Sequence, residues 1–213
     1  MTKKLLITLS ILTLFANATK ASDNNSATHD EGVVINGIRW ATRNVDMPGT
    51  FAETPESFGM LFQWNRRKGW NATDERVTGW NGSFITDEEW EKENDPCPQG
   101  WRVPTREELE KLTDTENEWT TRNGVMGRLF GVVPYQIFLP STIGRRIGRS
   151  GILSDIGFVS HYWSSTSFPI DNRAATTLWF FMKYADYMEY DIEIPGFFGS
   201  SKSDGNSVRC VAK

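Results

Sequence analysis

The stretch Cys97-Pro98-Gln99-Gly100-Trp101-Arg102-Val103-Pro104-Thr105-Arg106-Glu107-Glu108-Leu109 holds the signals on which the interpretation of the whole chain depends. Thr105 and Glu108 have the spacing of a capping box, in which each side chain accepts a hydrogen bond from the backbone N–H of the other residue. Pro104 disfavours helical backbone at the residue before it, and Leu109 begins the apolar face of a helix. The stretch therefore predicts a turn, a short extended segment and a helix that begins after Thr105.

The first 21 residues have the pattern of a signal peptide. Lys3 and Lys4 form a charged start, residues 5–15 are apolar, and Ala21 ends a segment with small residues at cleavage positions. The apolar run is too short to span a bilayer comfortably, so we expect no transmembrane segment in the mature chain. No cysteine lies near the cleavage point, so no lipid anchor is expected. The mature protein is expected to be secreted, periplasmic or on the cell surface.

Composition indicates one folded domain after a short leader. Residues 22–32 are mostly polar and are predicted to be a flexible leader, and residues 33–213 are predicted to form a single domain. Hydrophobic residues make up 38% of the chain and aromatic residues 13%, which is typical of a folded core. Removal of residues 1–21 takes away three lysines and no acid, which changes the formal net charge from -4 to -7. A nucleic-acid partner is therefore not expected.

The two cysteines leave two interpretations open. In an oxidising compartment Cys97 and Cys210 are the only intramolecular pair that this chain can form. The alternative is a pair of buried free thiols. Two cysteines make no zinc site unaided, and the two histidines, His29 and His161, are far apart in sequence, so no structural zinc is expected.

Local patterns predict short antiparallel strands and few helices, hence an α+β class. Asn36-Gly37 between apolar runs indicates a hairpin with a type I′ turn. Residues 46–95 are expected to be packed loop, with a short helix over residues 87–93 capped by Thr86. Residues 120–131 contain three glycines and are expected to be loop. Further strands are predicted at residues 137–140, 162–166, 176–182, 188–194 and 208–211.

Several segments, taken in this order, resemble one known family. They are Ile38-Arg39-Trp40-Ala41-Thr42-Arg43-Asn44-Val45, Gly59-Met60-Leu61-Phe62-Gln63-Trp64, Cys97-Pro98-Gln99-Gly100-Trp101-Arg102-Val103-Pro104-Thr105, Phe138-Leu139-Pro140, Tyr162-Trp163-Ser164-Ser165-Thr166 and Ser207-Val208-Arg209-Cys210-Val211. The sequence resembles the "Fibrobacter succinogenes major paralogous domain" family of exported bacterial proteins, over nearly all of residues 33–213. The family brings no established activity to carry over to this chain.

A more distant similarity concerns the fold. Arg102-Val103-Pro104-Thr105 followed by Glu108 is similar to an element of formylglycine-generating enzymes, and also to lectin-like domains of bacterial surface proteins. That resemblance implies a C-type-lectin-like fold, with short antiparallel sheets, few helices, long loops and paired terminal strands. Formylglycine-generating enzymes use cysteines that are close in sequence, and Cys97 and Cys210 do not match that arrangement.

No pattern in the chain predicts a catalytic residue. A nucleophile, base and acid could be drawn from Ser164 or Ser165, His161 and Asp171, but adjacent strand residues face opposite sides of a sheet and no nucleophile elbow is present. Phosphate-binding and dinucleotide-binding loops are also absent from the sequence. We therefore expect a protein that is not an enzyme and that needs no cofactor.

Calcium is weighed because sugar-binding C-type lectins use it. Their Glu-Pro-Asn, Gln-Pro-Asp and Trp-Asn-Asp elements do not occur in this sequence. Calcium needs six to eight oxygen ligands, and the places that could supply some of them are Asp204-Gly205-Asn206 and Asp186. Because neither place carries a recognisable motif, no metal ligand is assigned.

Aromatic residues beside small amides are the strongest binding signal. Trp70-Asn71 and Trp80-Asn81 each follow a glycine in a predicted loop. An indole ring can stack on the apolar face of a sugar while an amide hydrogen-bonds its hydroxyl groups, so these four residues are the predicted ligand-binding set. The alternative is that a loop-rich domain uses such rings for packing, as predicted for Trp101 and Trp163.

These observations predict an exported, non-catalytic binding or adhesion domain of the bacterial cell envelope that recognises glycan. The alternative is a structural or partner-docking subunit of a surface assembly, with an envelope protein as its partner. Exposure of the loop tryptophans separates the two, because a concave aromatic cleft indicates a small ligand and a broad apolar patch indicates docking.

Overall fold

Antiparallel strands make up most of the regular structure in the computed structural model, which describes residues 26–141, 144–156, 159–181 and 195–213. The strands and the helix are, in chain order, β1 (Val33–Ile35), β2 (Ile38–Asn44), β3 (Leu61–Gln63), β4 (Gly69–Trp70), β5 (Trp101–Arg102), α1 (Arg106–Thr113), β6 (Asn117–Arg122), β7 (Val125–Val132), β8 (Tyr135–Pro140), β9 (Arg145–Arg146), β10 (Leu153–Ser154), β11 (Val159–Ser167), β12 (Ala174–Phe181), β13 (Gly196–Ser201), β14 (Gly205–Asn206) and β15 (Arg209–Ala212).

The strands form four small sheets. Their orders are β1-β2-β15-β5, β10-β9-β14-β3-β4, β11-β12-β13 and β6-β7-β8. In the first sheet β15, near the end of the chain, lies between β2, near the start of the domain, and β5. The prediction of few helices and short antiparallel sheets is confirmed.

Two hairpins have an Asn-Gly turn of the same type. Asn36 and Gly37 have φ angles of 48° and 79° between β1 and β2, as a type I′ turn requires. Asn123 and Gly124 have φ angles of 48° and 81° and join β6 to β7. The expectation that residues 120–131 are loop is therefore wrong, because Asn123-Gly124 is itself a hairpin turn.

The helix prediction is confirmed in one place and wrong in another. Thr105 and Glu108 form the complete capping box at the start of α1. Residues 87–91 are not helical, and a single 3-10 turn occupies Lys92–Asn94 instead. The Asp87 carboxylate accepts hydrogen bonds from Asn65 and Arg66, and its backbone carbonyl accepts from Lys202, so Asp87 bonds to distant parts of the chain and not within a helix.

A disulfide bond between Cys97 and Cys210 joins the turn before β5 to β15, with a sulfur–sulfur distance of 2.07 Å. Of the two interpretations of the cysteines, the disulfide is confirmed. Trp101, which follows the turn, meets Phe51 edge to face with ring centroids 5.6 Å apart. Both cysteines and Trp101 are buried in one apolar cluster with Trp163, which confirms the two predicted core tryptophans.

A second apolar cluster lies under α1. Leu109 and Leu112 are buried there with Trp40 of β2. Tyr162 and Phe180 stack nearly parallel, with ring centroids 5.9 Å apart. The helix is therefore attached through its apolar face to β2, β11 and β12.

The remaining strand predictions are met to different extents. Residues 137–140 and 162–166 lie within β8 and β11, and β15 covers most of residues 208–211. β12 is longer than the predicted strand at its start, and Met182 lies outside the described residues. The strand predicted over residues 188–194 and the acidic residue Asp186 also lie outside them.

The last residues of the predicted leader contact the domain. The carboxylate of Asp30 accepts hydrogen bonds from the backbone N–H and hydroxyl of Thr42 and from the backbone of Gly32. Arg43 donates to the carbonyl oxygens of Ser26 and His29. Residues 26–32 therefore lie against β2, and residues 1–25 lie outside the described part of the chain.

Candidate binding site

The two predicted stacking residues are in contact with each other. Trp70 ends β4 and only 6% of its surface is exposed, whereas Trp80 lies in a loop and is half-buried. Their ring centroids are 5.0 Å apart, and the ammonium of Lys68 lies 4.0 Å from the Trp70 ring. The indole N–H of Trp80 donates to the carbonyl of Gly148. Trp80 therefore leaves part of its ring exposed, and Trp70 leaves very little.

Asn71 and Asn81 are exposed, and both side-chain oxygens take part in local turns. Asn71 Oδ1 accepts hydrogen bonds from the backbone and hydroxyl of Thr73 and from the backbone of Asp74. Asn81 Oδ1 accepts from the backbone of Ser83. The structure thus brings the four predicted residues into neighbouring loops, where both amide oxygens already have donors.

The other two loop tryptophans form a second pair. Trp64 is fully buried, and its indole N–H donates to the carbonyl of Ser164. Trp90 is half-buried and meets Trp64 with ring centroids 5.5 Å apart. Nε1 of Trp90 is buried and has no hydrogen-bond partner among the described residues.

Trp90 borders an open cleft with a volume of about 400 Å³, called the Trp90 cleft below. The cleft lies where β5 leads into α1, beside the disulfide-linked turn. Its lining residues are Trp90, Lys92, Asp95, Arg102, Val103, Thr105, Ser165 and Lys213. An aromatic ring, hydroxyl groups, a carboxylate and cationic side chains therefore face one space.

The carboxylate of this cleft is held in place by backbone donors. Asp95 Oδ1 accepts from the N–H of Cys97 at 2.9 Å, and Oδ2 accepts from the N–H of Val103 at 3.2 Å. Burial raises the pKa of Asp95, against the effect of these hydrogen bonds and of the charges of Lys213 and Arg102. Asp95 therefore connects the turn before the disulfide to the residue before Pro104.

Arg102 also lines the cleft, and it is oriented by the helix. Its Nη1 and Nη2 donate to the two carboxylate oxygens of Glu108 at 2.7 and 2.6 Å. The hydrogen bonds with Glu108 raise the pKa of Arg102, and Arg102 in turn lowers the pKa of Glu108 against the opposing effect of burial. The capping residue Glu108 thus also positions a guanidinium group at the cleft.

A buried lysine holds the loop that carries Trp90. Lys202 Nζ donates to the carbonyl oxygens of Asp87 and Asn172 and to the hydroxyl of Ser167, and it lies 4.4 Å from the Trp64 ring. Burial lowers the pKa of Lys202. All three donors of the ammonium are used, so the loop at residue 87 is tied to β11 and to residue 172.

The sequence predicted a short helix at the position of Trp90 and did not predict the cleft. Residues 90–105 of the cleft are joined by Ser165 and by Lys213, which are separated from them by 60 residues or more. No local pattern of the sequence indicates that these distant residues line the same cleft. The one sequence signal within the cleft is the capping residue Thr105, because the capping box fixes where the helix begins beside it.

The serine, aspartate and histidine named as catalytic candidates do not bond to one another. Ser164 donates its hydroxyl to the carbonyl of Thr176. Asp171 is half-buried and pairs with Arg173. His161 is buried, its Nδ1 has no hydrogen-bond partner among the described residues, and burial together with the charge of Arg145 lowers its pKa to about 4.

Of the residues named as calcium candidates, Asp204 already has hydrogen-bond donors, whereas the buried side-chain oxygen of Asn206 has no partner among the described residues. Asp204 accepts from the backbone N–H of Gly148, from Arg145 and from Ser200. Asn206 donates its amide to Ser200. Within the described ranges, no group of three or more His, Cys, Asp or Glu side chains is arranged to hold a metal ion.

Comparisons with known proteins identify no relative of this chain. No protein-family model, no curated protein and no solved structure matches it. In the part of the chain that the structure describes, no helix is long and apolar enough to cross a membrane.

Proposed function

We propose that this protein is an exported, non-catalytic binding module of the bacterial cell envelope that recognises glycan in the Trp90 cleft. The motifs that resemble the Fibrobacter succinogenes major paralogous domain family support export and a C-type-lectin-like fold. The Cys97–Cys210 disulfide supports an oxidising compartment, because such bonds persist outside the cytoplasm.

The observation that carries the proposal is the composition of the Trp90 cleft. Its volume of about 400 Å³ lies within the range of small-ligand sites. A half-buried indole can stack on the apolar face of a sugar ring. Thr105, Ser165 and Asp95 supply oxygen atoms beside it for the sugar hydroxyls.

The position of the cleft supports a pre-formed site. Its walls are held by the disulfide, by the capping box of α1 and by the three hydrogen bonds of Lys202. A rigid site loses little conformational entropy when it binds, so ordering it costs little affinity.

A glycan array tests the proposal with three proteins: the natural chain, Trp90→Ala and Trp80→Ala. Trp80 is a matched control, because it too is half-buried and contacts a buried tryptophan. The expected result is glycan binding that Trp90→Ala reduces at least about tenfold and that Trp80→Ala leaves unchanged, since the stacking of a nucleic-acid base on an aromatic side chain contributes roughly 1–3 kcal/mol and a sugar ring is expected to reach the lower part of that range. Thermal unfolding of each variant checks that it is folded.

Each other outcome has a definite meaning. Loss of binding in Trp80→Ala alone contradicts the cleft and supports the site predicted at Trp70, Asn71, Trp80 and Asn81. Binding of no glycan by the natural chain contradicts glycan recognition altogether.

Partner docking is the second candidate, and one observation favours it. Val132, Val133 and Tyr135 are exposed at the end of the β7–β8 hairpin, with Val133 80% exposed. Clustered exposed apolar side chains are typical of protein contacts. A photo-crosslinking residue at Val133, compared with one at the exposed polar Glu118 of β6, tests it in the cell envelope. A discrete adduct at Val133 alone supports docking, and no adduct at either position contradicts it.

A further inference from the structure

Two arginine side chains lie close to a solvent-exposed aromatic ring, on a face that shares no residue with the lining of the Trp90 cleft. Phe84 is 58% exposed. The guanidinium carbons of Arg149 and Arg173 each lie 5.6 Å from the centroid of its ring. Both arginines are themselves exposed. The surface therefore presents a large apolar ring with two cations in contact with it.

The loop that carries Phe84 is held in place. The backbone carbonyl of Ser83 accepts a hydrogen bond from Ser203, and its N–H donates to Asn81. Gly82 lies against the backbone of Arg149, so closely that a Cβ atom there would be 2.4 Å from the Arg149 carbonyl oxygen. Phe84 and Arg149 are therefore presented by two backbones in direct contact.

The second arginine is anchored through its own backbone. The carbonyl of Arg173 accepts from the N–H of Lys202, and the N–H of Arg173 donates to Asp171. The Arg173 guanidinium also donates to the Asp171 carboxylate at 3.2 and 3.4 Å. This pair is exposed, and exposed ion pairs contribute only about 0–1 kcal/mol. A carboxylate from outside can replace Asp171 at little cost.

We propose that Phe84, Arg149 and Arg173 form a binding surface for a polysaccharide that carries carboxylate groups, such as a chain of uronic acids. The exposed part of the Phe84 ring packs against the apolar face of a sugar. Each guanidinium presents two N–H groups in the planar arrangement that a carboxylate accepts. Asp171 already occupies this position on Arg173, which shows that a carboxylate fits there.

Charge complementarity favours an acidic polysaccharide over a membrane or a nucleic acid. Each basic residue near an anionic membrane contributes only about 1 kcal/mol, so two arginines are too few for stable attachment. Nucleic-acid binding depends on many phosphate contacts, and this chain has a formal net charge of -4. A single uronic acid, in contrast, can be bound by one guanidinium group, which pairs with its carboxylate, and one aromatic ring, which contacts its apolar face.

The test measures binding of an oligogalacturonate and of its fully methyl-esterified form by calorimetry. The ester keeps the sugar chain and removes the negative charges. The natural chain is compared with the double variant Arg149→Gln/Arg173→Gln and with Arg122→Gln. Arg122 is a matched control, because it is exposed and its guanidinium carbon also lies 5.6 Å from a phenylalanine ring, that of Phe138. Thermal unfolding confirms that every variant is folded.

Five results are expected. The acid form binds at least about tenfold more tightly than the ester, the double variant loses about tenfold, and Arg122→Gln retains full affinity. Asp171→Asn, which removes the competing charge, binds the acid form a few-fold more tightly. Trp90→Ala leaves this binding unchanged, so failure of the Trp90 cleft and failure of this surface are distinguishable.

Several results overturn the proposal. They are equal binding of the acid and the ester, full affinity in the double variant, the same loss in Arg122→Gln as in the double variant, and binding to phosphatidylserine vesicles without binding to the oligogalacturonate.

Discussion

The guanidinium of Arg209 donates two hydrogen bonds to the side-chain oxygen of Asn44, from Nε at 3.0 Å and from Nη2 at 2.7 Å, across 165 residues of sequence. Both residues are buried. Arg209 also donates to the carbonyl oxygens of Ala41 and Phe138, and burial lowers its pKa to about 10. One cation therefore connects β15, β2 and β8.

Replacement of Asn44 by alanine removes the side-chain acceptor that receives two of these bonds. We expect the free energy of unfolding to fall by about 3 kcal/mol, because a buried charged donor loses its partner. Urea unfolding followed by fluorescence measures it. Asn172→Ala is the control, since Asn172 is exposed, and its cost is expected to stay within about 0.5 kcal/mol. Equal costs for the two variants contradict the assigned role of Asn44.

Loss of the disulfide is expected to cost about 4–5 kcal/mol. Cys97 and Cys210 are separated by 113 residues, and closing so long a loop restricts the unfolded chain strongly. The measurement compares urea unfolding of the oxidised protein with that of the Cys97→Ala/Cys210→Ala variant. If the disulfide is present, added reductant lowers the urea midpoint of the natural protein and leaves that of the variant unchanged. An unchanged midpoint in both proteins contradicts the presence of the disulfide.

The lowered pKa of His161 predicts that the protein loses stability as the pH falls. Its folded-state pKa, about 4, lies below the ordinary value of 6.5, so the unfolded chain binds the proton first. The stabilising effect of the neutral buried imidazole is complete above pH 6.5 and decreases towards pH 4. Between pH 7.5 and pH 5 we expect a loss of about 2 kcal/mol from this residue.

Because carboxylates also begin to titrate near pH 5, the measured quantity is a difference. Urea unfolding at pH 7.5 and pH 5 is compared for the natural protein and for His161→Gln. The variant is expected to lose about 2 kcal/mol less over this interval. The same loss in both proteins shows that His161 does not remain neutral in the folded state.

Replacement of the buried Lys202 is expected to lower the free energy of unfolding strongly, although lysine is usually an exposed residue type. Lys202→Met leaves the carbonyl oxygens of Asp87 and Asn172 and the hydroxyl of Ser167 without this donor. We expect a loss of about 3 kcal/mol in the free energy of unfolding. Lys111→Met on the exposed face of α1 is the control, and the prediction is contradicted if both variants cost the same.

Local chemistry was sufficient for the elements that are held by neighbouring residues. Thr105 and Glu108 specify the start of α1 because both partners of the capping box lie within one helical turn. Asn36-Gly37 specifies its hairpin because few residues other than glycine and asparagine adopt positive φ at low cost. Asn123-Gly124 is the same turn signal, but the other glycines in residues 120–131 favoured the prediction of a loop there.

Long-range contacts decided the elements for which local patterns failed. The helix predicted over residues 87–93 does not form, because Asp87 bonds to Asn65 and Arg66 and its carbonyl accepts from Lys202. A hydrogen bond to a residue more than 100 positions away is invisible to any local pattern. Such contacts outweigh the weak preference of a short segment for helix.

The sequence by itself determined the capped helix, the first hairpin, the predominance of short antiparallel strands and the presence of two cysteines able to pair. Only the tertiary structure decided that Trp64 and Trp70 are buried and that Trp90 borders a cleft. It also placed both Arg149 and Arg173 beside the Phe84 ring. The physical reason is that a cap or a turn is made by residues a few positions apart, whereas the exposure of a ring depends on which distant loops pack against it.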